Sequence, residues 1–195
     1  MNLAIFDIDG TLIDSKAVDN ECFLASLGIS ADAIDWSDYP HHTDRGLTQE
    51  FLRRRWSRDP AEENMVRHRA EEIRGARAFI DFLRAREWEI ALATGAWSES
   101  ALLKLNAAGF PPTLPLACCD AWPSREEIVL GAIAGRQYDR IVVFGDGWWD
   151  VRAARNLKLP FIGVGGAAEG AAESIADFSS PGEVLAAMMR ARPPR

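Results

Sequence analysis

A short apolar run that stops at two acids, residues 3–9, constrains this sequence more than any other stretch. Leu3 to Phe6 are four consecutive apolar residues, a pattern typical of a strand that is covered on both faces of a sheet. Asp7 and Asp9 follow. Alternate residues of an extended chain point to the same side, so both carboxylates are expected to face one way. Unpaired buried carboxylates are costly, and chemistry therefore explains this pair better than folding does.

The composition is that of an ordinary globular protein. The 195 residues, 48% hydrophobic and 26% charged, suffice for one domain with a good core, or for a core with a small insert. The net charge of -7 argues against nucleic-acid binding. We find no stretch long enough to cross a membrane and predict no secretory signal, since Asp7 interrupts the first apolar run. Three cysteines, two of them adjacent, argue against a disulfide framework and predict a cytoplasmic protein. The oligomeric state is not decided by composition.

The apolar pattern after Thr11 is helical. Amphipathic stripes cover residues 16–28 and 47–56, and Pro60 opens a third helical stretch that ends near Gly75. Residues 16–73 are therefore predicted to be helical throughout, with no strand.

Beyond this block, helical and strand patterns alternate to the end of the sequence. Such repeats imply a mostly parallel sheet wrapped by helices, which is an α/β fold. The predicted strands after the first one are residues 90–93, 114–119, 141–144 and 161–164. We predict a core domain of residues 1–15 and 74–195, with residues 16–73 inserted after the first strand as a small helical cap.

Polar residues stand at the ends of the predicted strands. Asp7 and Asp9 end the first, Thr94 follows the second, Asp146 follows the strand at 141–144, and Arg125 begins a helix between them. In parallel sheets ligands bind beyond the carboxyl ends of the strands, so these groups are expected to share one crevice. Two carboxylates 4 Å apart repel by roughly 4 kcal/mol at an effective dielectric near 20. A divalent cation relieves this repulsion, and an all-oxygen site suits Mg²⁺.

Four segments of the sequence resemble the motifs of the haloacid-dehalogenase-like (HAD) hydrolase superfamily. Asp7-Ile8-Asp9-Gly10-Thr11 is similar to motif I, Asp-x-Asp-Gly-Thr. The strand ending in Thr94-Gly95 is similar to motif II, and residues 145–150 are similar to the Gly-Asp-x-x-x-Asp form of motif IV. Arg125 is the best match to the lone cation of motif III. The resemblance covers residues 1–15 and 74–166 and implies a Rossmann-like core with an inserted cap.

This resemblance implies a phosphatase that works through an aspartyl-phosphate. Asp7 would be the nucleophile, and Asp9 would protonate the leaving oxygen and later deprotonate the attacking water. Thr94 and backbone N–H groups near Gly10 and Gly95 would hold the phosphoryl oxygens. A closing cap favours a small phosphorylated metabolite as the substrate.

The resemblance also implies how charge is balanced. Arg125 would stabilise the nucleophile and the phosphate. Mg²⁺ would bind the Asp7 carboxylate, the Asp9 backbone carbonyl and Asp146, and Asp150 would support the site through water or by orienting Arg125.

Two alternatives stay open at this stage. One is a sugar phosphomutase or another phosphotransferase of the same superfamily. Mutases usually carry a histidine early in the cap, where this sequence has Asp19. The other is a non-catalytic phospho-acceptor or binding module with the same acidic pocket, like a response-regulator receiver. Receivers lack a second acid at the place of Asp9 and have no helical insert. The substrate and the cap residues that select it are not specified.

Several residues are interpreted as structural. Trp148 and Trp149 are predicted to pack in a loop, and His41, His42 and His68 are predicted to be surface or cap residues because they lack metal-ligand spacing. Arg45, in the predicted cap loop, is a candidate for substrate contact.

Overall fold

The computed structural model describes residues 1–28, 42–54, 71–166 and 169–195. Within these ranges the strands are β1 (Asn2–Phe6), β2 (Ile13–Asp14), β3 (Glu71–Glu72), β4 (Trp88–Ala93), β5 (Leu116–Ala117), β6 (Arg140–Gly145), β7 (Phe161–Val164) and β8 (Glu173–Ile175). The helices are α1 (Lys16–Ser26), α2 (Asp44–Arg54), α3 (Ala76–Arg84), α4 (Ser98–Ala107), α5 (Arg125–Ile133), α6 (Trp148–Leu157) and α7 (Pro181–Arg190). No described helix combines the length and apolar character that a membrane crossing requires.

Six of these strands form one parallel sheet in the order β5-β4-β1-β6-β7-β8. The apolar run of β1 lies in its interior, with Ala4 opposite Ile90 on one side and Val142 on the other. The chain first extends the sheet to one side of β1 through β4 and β5, and then crosses to the other side with β6. The strand order therefore reverses at β1, the place where open α/β sheets bind ligands. The predicted α/β core is confirmed.

Both faces of the sheet are covered by helices. Successive side chains of a strand point to opposite faces, so Ala4 and Phe6 pack with α3 and α7 while Leu3 and Ile5 pack with α5 and α6. The first face carries an aromatic cluster, in which Phe6 and Phe144 stack with ring centroids 4.5 Å apart. The carboxyl ends of β1 and β6 are held together at this stack.

A two-residue antiparallel ribbon departs from the sequence prediction. β2 pairs with β3, with Ile13 opposite Glu72, although residues 16–73 were predicted to contain no strand. The pair Glu71–Glu72 has no apolar alternation, and it is held through backbone pairing that side-chain patterns do not reveal. The adjoining Ile73 N–H donates to the Leu12 carbonyl at 2.8 Å. β8, which is polar and short, was missed for the same reason.

Helices α1 and α2 fall inside the predicted cap. Most of the third helical stretch predicted for this region, residues 60–70, lies outside the described residues. The boundaries 16 and 73 of the cap stay a prediction.

Replacing Phe79 with alanine is expected to destabilise the fold strongly. Its ring is fully buried on α3 and lies 5.3 Å from the Phe178 ring and 6.2 Å from the Phe144 ring. A buried Phe→Ala change typically costs about 3–5 kcal/mol. Urea unfolding measures the loss. Phe82→Ala on the same helix is the control, because that ring is only partly buried; equal losses in the two variants would contradict the described core.

Candidate active site

Asp7 is held at the carboxyl end of β1 by donors to both of its carboxylate oxygens. Its backbone N–H donates to the Phe144 carbonyl at 3.0 Å, which continues the sheet pairing past the last strand residue. The Arg125 Nη2 donates to Oδ1 at 2.7 Å, and the Thr11 hydroxyl donates to Oδ2 at 3.2 Å. The side chain is buried. The carboxylate is therefore fixed in one orientation at the floor of the site.

Arg125 is placed by the start of α5. Ser124 and Glu127 form a capping box there, in which Ser124 Oγ accepts from the Glu127 N–H at 3.3 Å. The buried guanidinium contacts Asp7 at 2.7 Å and Asp150 Oδ1 at 3.1 Å. A buried cation is tolerated only when it is paired, and these two carboxylates supply the pairing. The residue predicted from motif III thus lies beside both acids.

Asp146 and Asp150 complete an acidic cluster with Asp7. Asp146 follows β6, and Asp150 lies in the first turn of α6, where its Oδ2 accepts from the Gly147 N–H at 3.1 Å. One carboxylate oxygen from each of the three acids lies within 4.8 Å of the others. The Lys16 ammonium forms an ion pair with Asp146 Oδ2.

This cluster fits a hard divalent cation. Asp146 Oδ1 is buried and has no hydrogen-bond partner among the described residues. A buried oxygen without a protein partner normally contacts an ordered water or an ion. Carboxylate oxygens are hard ligands of the kind that Mg²⁺ binds. The predicted ligands Asp7 and Asp146 belong to the cluster, and Asp150, predicted to support the site, is its third member. The Asp9 backbone carbonyl stays a predicted ligand.

Burial has the largest effect on the pKa of Asp7, the candidate nucleophile. It raises the pKa of Asp7 to about 7, against the lowering effect of Arg125, and the charges of Asp150 and Asp9 add to the rise. Burial likewise raises the pKa of Asp150. A bound cation would favour the ionised carboxylates.

Thr94 lies beyond the end of β4, is buried, and lines the same cavity as Asp7. Its hydroxyl accepts from the Ala96 N–H at 3.1 Å, so the hydroxyl proton is directed elsewhere. The Arg125 Nη1 donates to the carbonyl of the preceding Ala93 at 3.4 Å, which ties the two predicted residues together.

Two glycines allow the loops to approach this closely. Gly10 has φ +83°, and a Cβ there would collide with Asp146 Oδ2 and with the Lys16 side chain. A Cβ on Gly95 would lie 3.0 Å from the His42 carbonyl. Both positions exclude larger residues because another part of the site occupies the space.

A cavity of about 330 Å³ opens over these groups. Of the predicted site residues, Asp7, Asp9, Thr94, Gly95 and Arg125 line it, whereas Gly10, Asp146 and Asp150 are not among its lining residues. The helices α1 and α2 contribute part of the wall, including the side chains of Asp19, Phe23, Asp44 and Leu47.

The cavity also contains residues that were interpreted as structural. His42 packs against Trp148 with centroids 4.5 Å apart and stacks on Trp149 at 5.2 Å and 9°. All three line the cavity, and the two tryptophans begin α6 instead of packing in a loop as predicted. Arg45 instead donates to the Asp120 carbonyl at 2.7 Å and does not line the cavity. His41 and His68 lie outside the described residues.

Lys104 was missed by the sequence analysis. It is buried on α4, and its Nζ lies 2.7 Å from Asp9 Oδ1 and 2.6 Å from Asp19 Oδ1. The signal was a cation in line with Ala101 and Leu105 on the buried face of a helix.

Asp44 was missed as well. It begins α2, its N–H donates to the Gly95 carbonyl at 2.8 Å, and its Oδ2 accepts from the Trp97 N–H at 3.2 Å. Burial, with the charge of Asp19, raises the pKa of Asp44 to about 7.

The raised pKa of Asp44 predicts a pH-dependent difference in stability. An unfolded aspartate ionises near pH 4, whereas folded Asp44 keeps its proton until about pH 7, so its contribution to stability falls as pH rises between these values. The free energy of unfolding of the wild type, minus that of Asp44→Asn, should therefore decrease from pH 5 to pH 8. Urea unfolding at each pH measures this. The exposed Asp81→Asn is the control, and a difference independent of pH would refute the prediction.

Comparison with known proteins places this site in a family. The family model for haloacid dehalogenase-like hydrolases matches residues 1–158. A phosphoglycolate phosphatase of Agrobacterium fabrum is 28% identical over 187 residues, covering 83% of this chain and 79% of the relative.

Two solved structures share the fold. A hydrolase from Pseudomonas syringae is 21% identical with a TM-score of 0.73, covering 95% of this chain and 98% of the other. CbbY from Rhodobacter sphaeroides, in complex with phosphate, is 20% identical with a TM-score of 0.72, covering 96% and 98%. The predicted family and the prediction of an enzyme are confirmed: the chain belongs to the haloacid dehalogenase-like hydrolases.

Proposed function

We propose that this enzyme is a Mg²⁺-dependent phosphatase that hydrolyses a small phosphorylated metabolite through an aspartyl-phosphate. The observation that carries the proposal is the placement of Asp7. Its carboxylate is buried, is held by Arg125 at 2.7 Å, lines the cavity, and shares an oxygen cluster with Asp146 and Asp150. An arrangement of this kind suits an in-line attack on phosphorus.

In the first step an Asp7 oxygen attacks phosphorus, and the bond from phosphorus to the ester oxygen breaks. Arg125 keeps the carboxylate oriented and balances its charge without a rearrangement, because the guanidinium is already paired with Asp7 and Asp150. Attack needs the ionised carboxylate, and Arg125 favours that form against the opposing effect of burial.

Thr94 and the backbone N–H groups near Gly10 and Gly95 hold the phosphoryl oxygens. The Thr94 hydroxyl accepts from Ala96, so its proton is suited to a phosphoryl oxygen. Fixed donors of this type stabilise the charge that develops in the transition state.

Asp9 acts first as the general acid and then as the general base. As the ester bond breaks, Asp9 donates its proton to the leaving oxygen. In the second step Asp9 takes a proton from water, whose oxygen attacks phosphorus and releases Asp7. General acid–base catalysis of this kind typically contributes about 10²–10⁴-fold to the rate.

Asp7, Asp146 and the Asp9 backbone carbonyl are proposed to hold Mg²⁺, with Asp150 in support. A bound Mg²⁺ neutralises phosphate charge. Asp150 also contacts Arg125 at 3.1 Å, so this residue links the acidic cluster to the cation that orients the nucleophile.

The cavity bounds the size of the substrate. A volume of about 330 Å³ is at the lower end of the range for small-molecule pockets, roughly 300–1,000 Å³. This supports a small metabolite as the substrate and not a macromolecular phosphoester. The phosphoglycolate phosphatase and the phosphate-bound CbbY among its relatives support a phosphorylated substrate.

Hydrolysis is favoured over phosphoryl transfer between sugar positions. The cap position at which mutases usually carry histidine holds Asp19, and Asp19 is bound to Lys104 at 2.6 Å. Because Asp19 is ion-paired with Lys104, we do not expect it to donate or accept a proton as a histidine imidazole would.

Asp7→Asn should abolish turnover and leave the fold intact, because an amide oxygen cannot form the phospho-enzyme. With p-nitrophenyl phosphate and Mg²⁺ we expect a loss of at least about 10³-fold in kcat. Asp81→Asn, an exposed acid on α3, is the control and should keep wild-type turnover. Near wild-type activity in Asp7→Asn would remove Asp7 as the nucleophile, and EDTA-resistant activity in the wild type would remove the metal requirement.

Asp146→Asn should weaken Mg²⁺ binding because it replaces a charged ligand with a neutral one. We expect the Mg²⁺ concentration for half-maximal activity to rise by at least about tenfold. The Mg²⁺-induced rise in Tm, measured without substrate, should shift in parallel. An unchanged Mg²⁺ dependence by both measurements would rule out Asp146 as a ligand.

A further inference from the structure

Lys104 is a buried cation that the mechanism above does not use. Its side chain is 8% exposed, and its ammonium lies between two carboxylates, Asp9 at 2.7 Å and Asp19 at 2.6 Å. Burying an unpaired lysine costs several kcal/mol, and a buried ion pair is often no more stable than apolar packing. Packing alone therefore does not explain a lysine at position 104. The pairing partner is the residue proposed to move the proton.

Within the described part of the chain, both side-chain hydrogen bonds of Asp9 fall on one oxygen. Lys104 Nζ donates to Oδ1 at 2.7 Å, and the Ser15 hydroxyl donates to the same Oδ1 at 2.5 Å. Two donors on Oδ1 make that oxygen a poor place for the transferable proton. They also fix the rotation of the carboxyl group and leave Oδ2 without a donor among the described residues, on a side chain that lines the cavity.

We propose that Lys104 is a positioning residue for Asp9, which together with Ser15 anchors Oδ1 so that Oδ2 exchanges the proton with the leaving oxygen and the attacking water. This inference rests on the proposed phosphatase function. The proton passes from Oδ2 to the ester oxygen as that oxygen leaves phosphorus, and water returns a proton to Oδ2 as the Asp7–phosphorus bond breaks. Lys104 keeps its own protons throughout.

The second contact of Lys104 ties this orientation to the first helix of the predicted cap. Asp19 belongs to α1, whereas Lys104 belongs to α4 beside the sheet. One ammonium therefore joins the proton-transfer residue to a helix that lines the substrate cavity. A purely structural account is that Lys104 only fastens α1 to α4, and it makes a different kinetic prediction.

The test uses substrates that differ in how much they need a proton. p-Nitrophenolate leaves as a stable anion and depends little on a general acid, whereas phenolate and p-methoxyphenolate depend on it more. The four proteins to compare, each with saturating Mg²⁺, are wild type, Lys104→Met, Lys104→Arg and Asp19→Asn. Values of kcat and KM are measured with p-nitrophenyl, phenyl and p-methoxyphenyl phosphate.

Positioning of Asp9 predicts a leaving-group-dependent loss. In Lys104→Met we expect kcat to fall by about 10²-fold with p-methoxyphenyl phosphate and by less than about tenfold with p-nitrophenyl phosphate. Lys104→Arg keeps a cation beside Asp9 and should recover much of the difference. Asp19→Asn leaves the Asp9–Lys104 contact in place and should alter KM more than the leaving-group dependence.

A structural role would lower kcat equally for all three substrates, and that result overturns the inference. If Lys104→Met does not fold, Ser15→Ala removes the other donor to Oδ1 and should steepen the leaving-group dependence in the same sense. An unchanged leaving-group dependence in Ser15→Ala would then overturn it. Wild-type protein inert toward all three substrates would instead overturn the proposed function itself.

Discussion

Repulsion among carboxylates at the carboxyl end of the sheet is the constraint on which the site depends. Asp7, Asp146 and Asp150 bring oxygens within 4.8 Å of one another, where each charged pair is unfavourable by roughly 4 kcal/mol at an effective dielectric near 20. Two cations offset this negative charge: Arg125 of α5 pairs with Asp7, and Lys16 of α1 pairs with Asp146. These cations and acids come from separate parts of the sequence. Folding therefore brings each cation to the acid whose repulsion it offsets.

The sheet provides the rigidity that this crowding demands. β1 lies between β4 and β6. The rings of Phe6 in β1 and Phe144 in β6 stack on each other, one residue before Asp7 and two residues before Asp146. A displacement of either acid would have to disturb a packed aromatic core. The acids at the strand ends are therefore set by the sheet, whereas part of the cavity wall comes from α1 and α2.

Much of this was accessible from the sequence, because strand ends in a parallel sheet converge by topology alone. The buried run before Asp7, the strand before Asp146 and the alternation after residue 76 determined the core and the main members of the site. Side-chain patterns could not reveal β3 and β8, which are short and polar. They also could not reveal Lys104, since its partners are 85 and 95 residues away and its role depends on a helix orientation fixed by tertiary packing.

The orientation of α4 carries a warning for protein engineering. Leu102 and Leu103 are 46% and 58% exposed, while the neighbouring lysine points inward. A stabilisation strategy guided by hydrophobicity would exchange these preferences, placing leucine at position 104 and polar residues at 102 and 103. The resulting protein would leave two acids of the cavity without their shared counter-ion, so a substitution chosen to stabilise the helix would destabilise the fold around α4 and disturb the proposed proton-transfer residue.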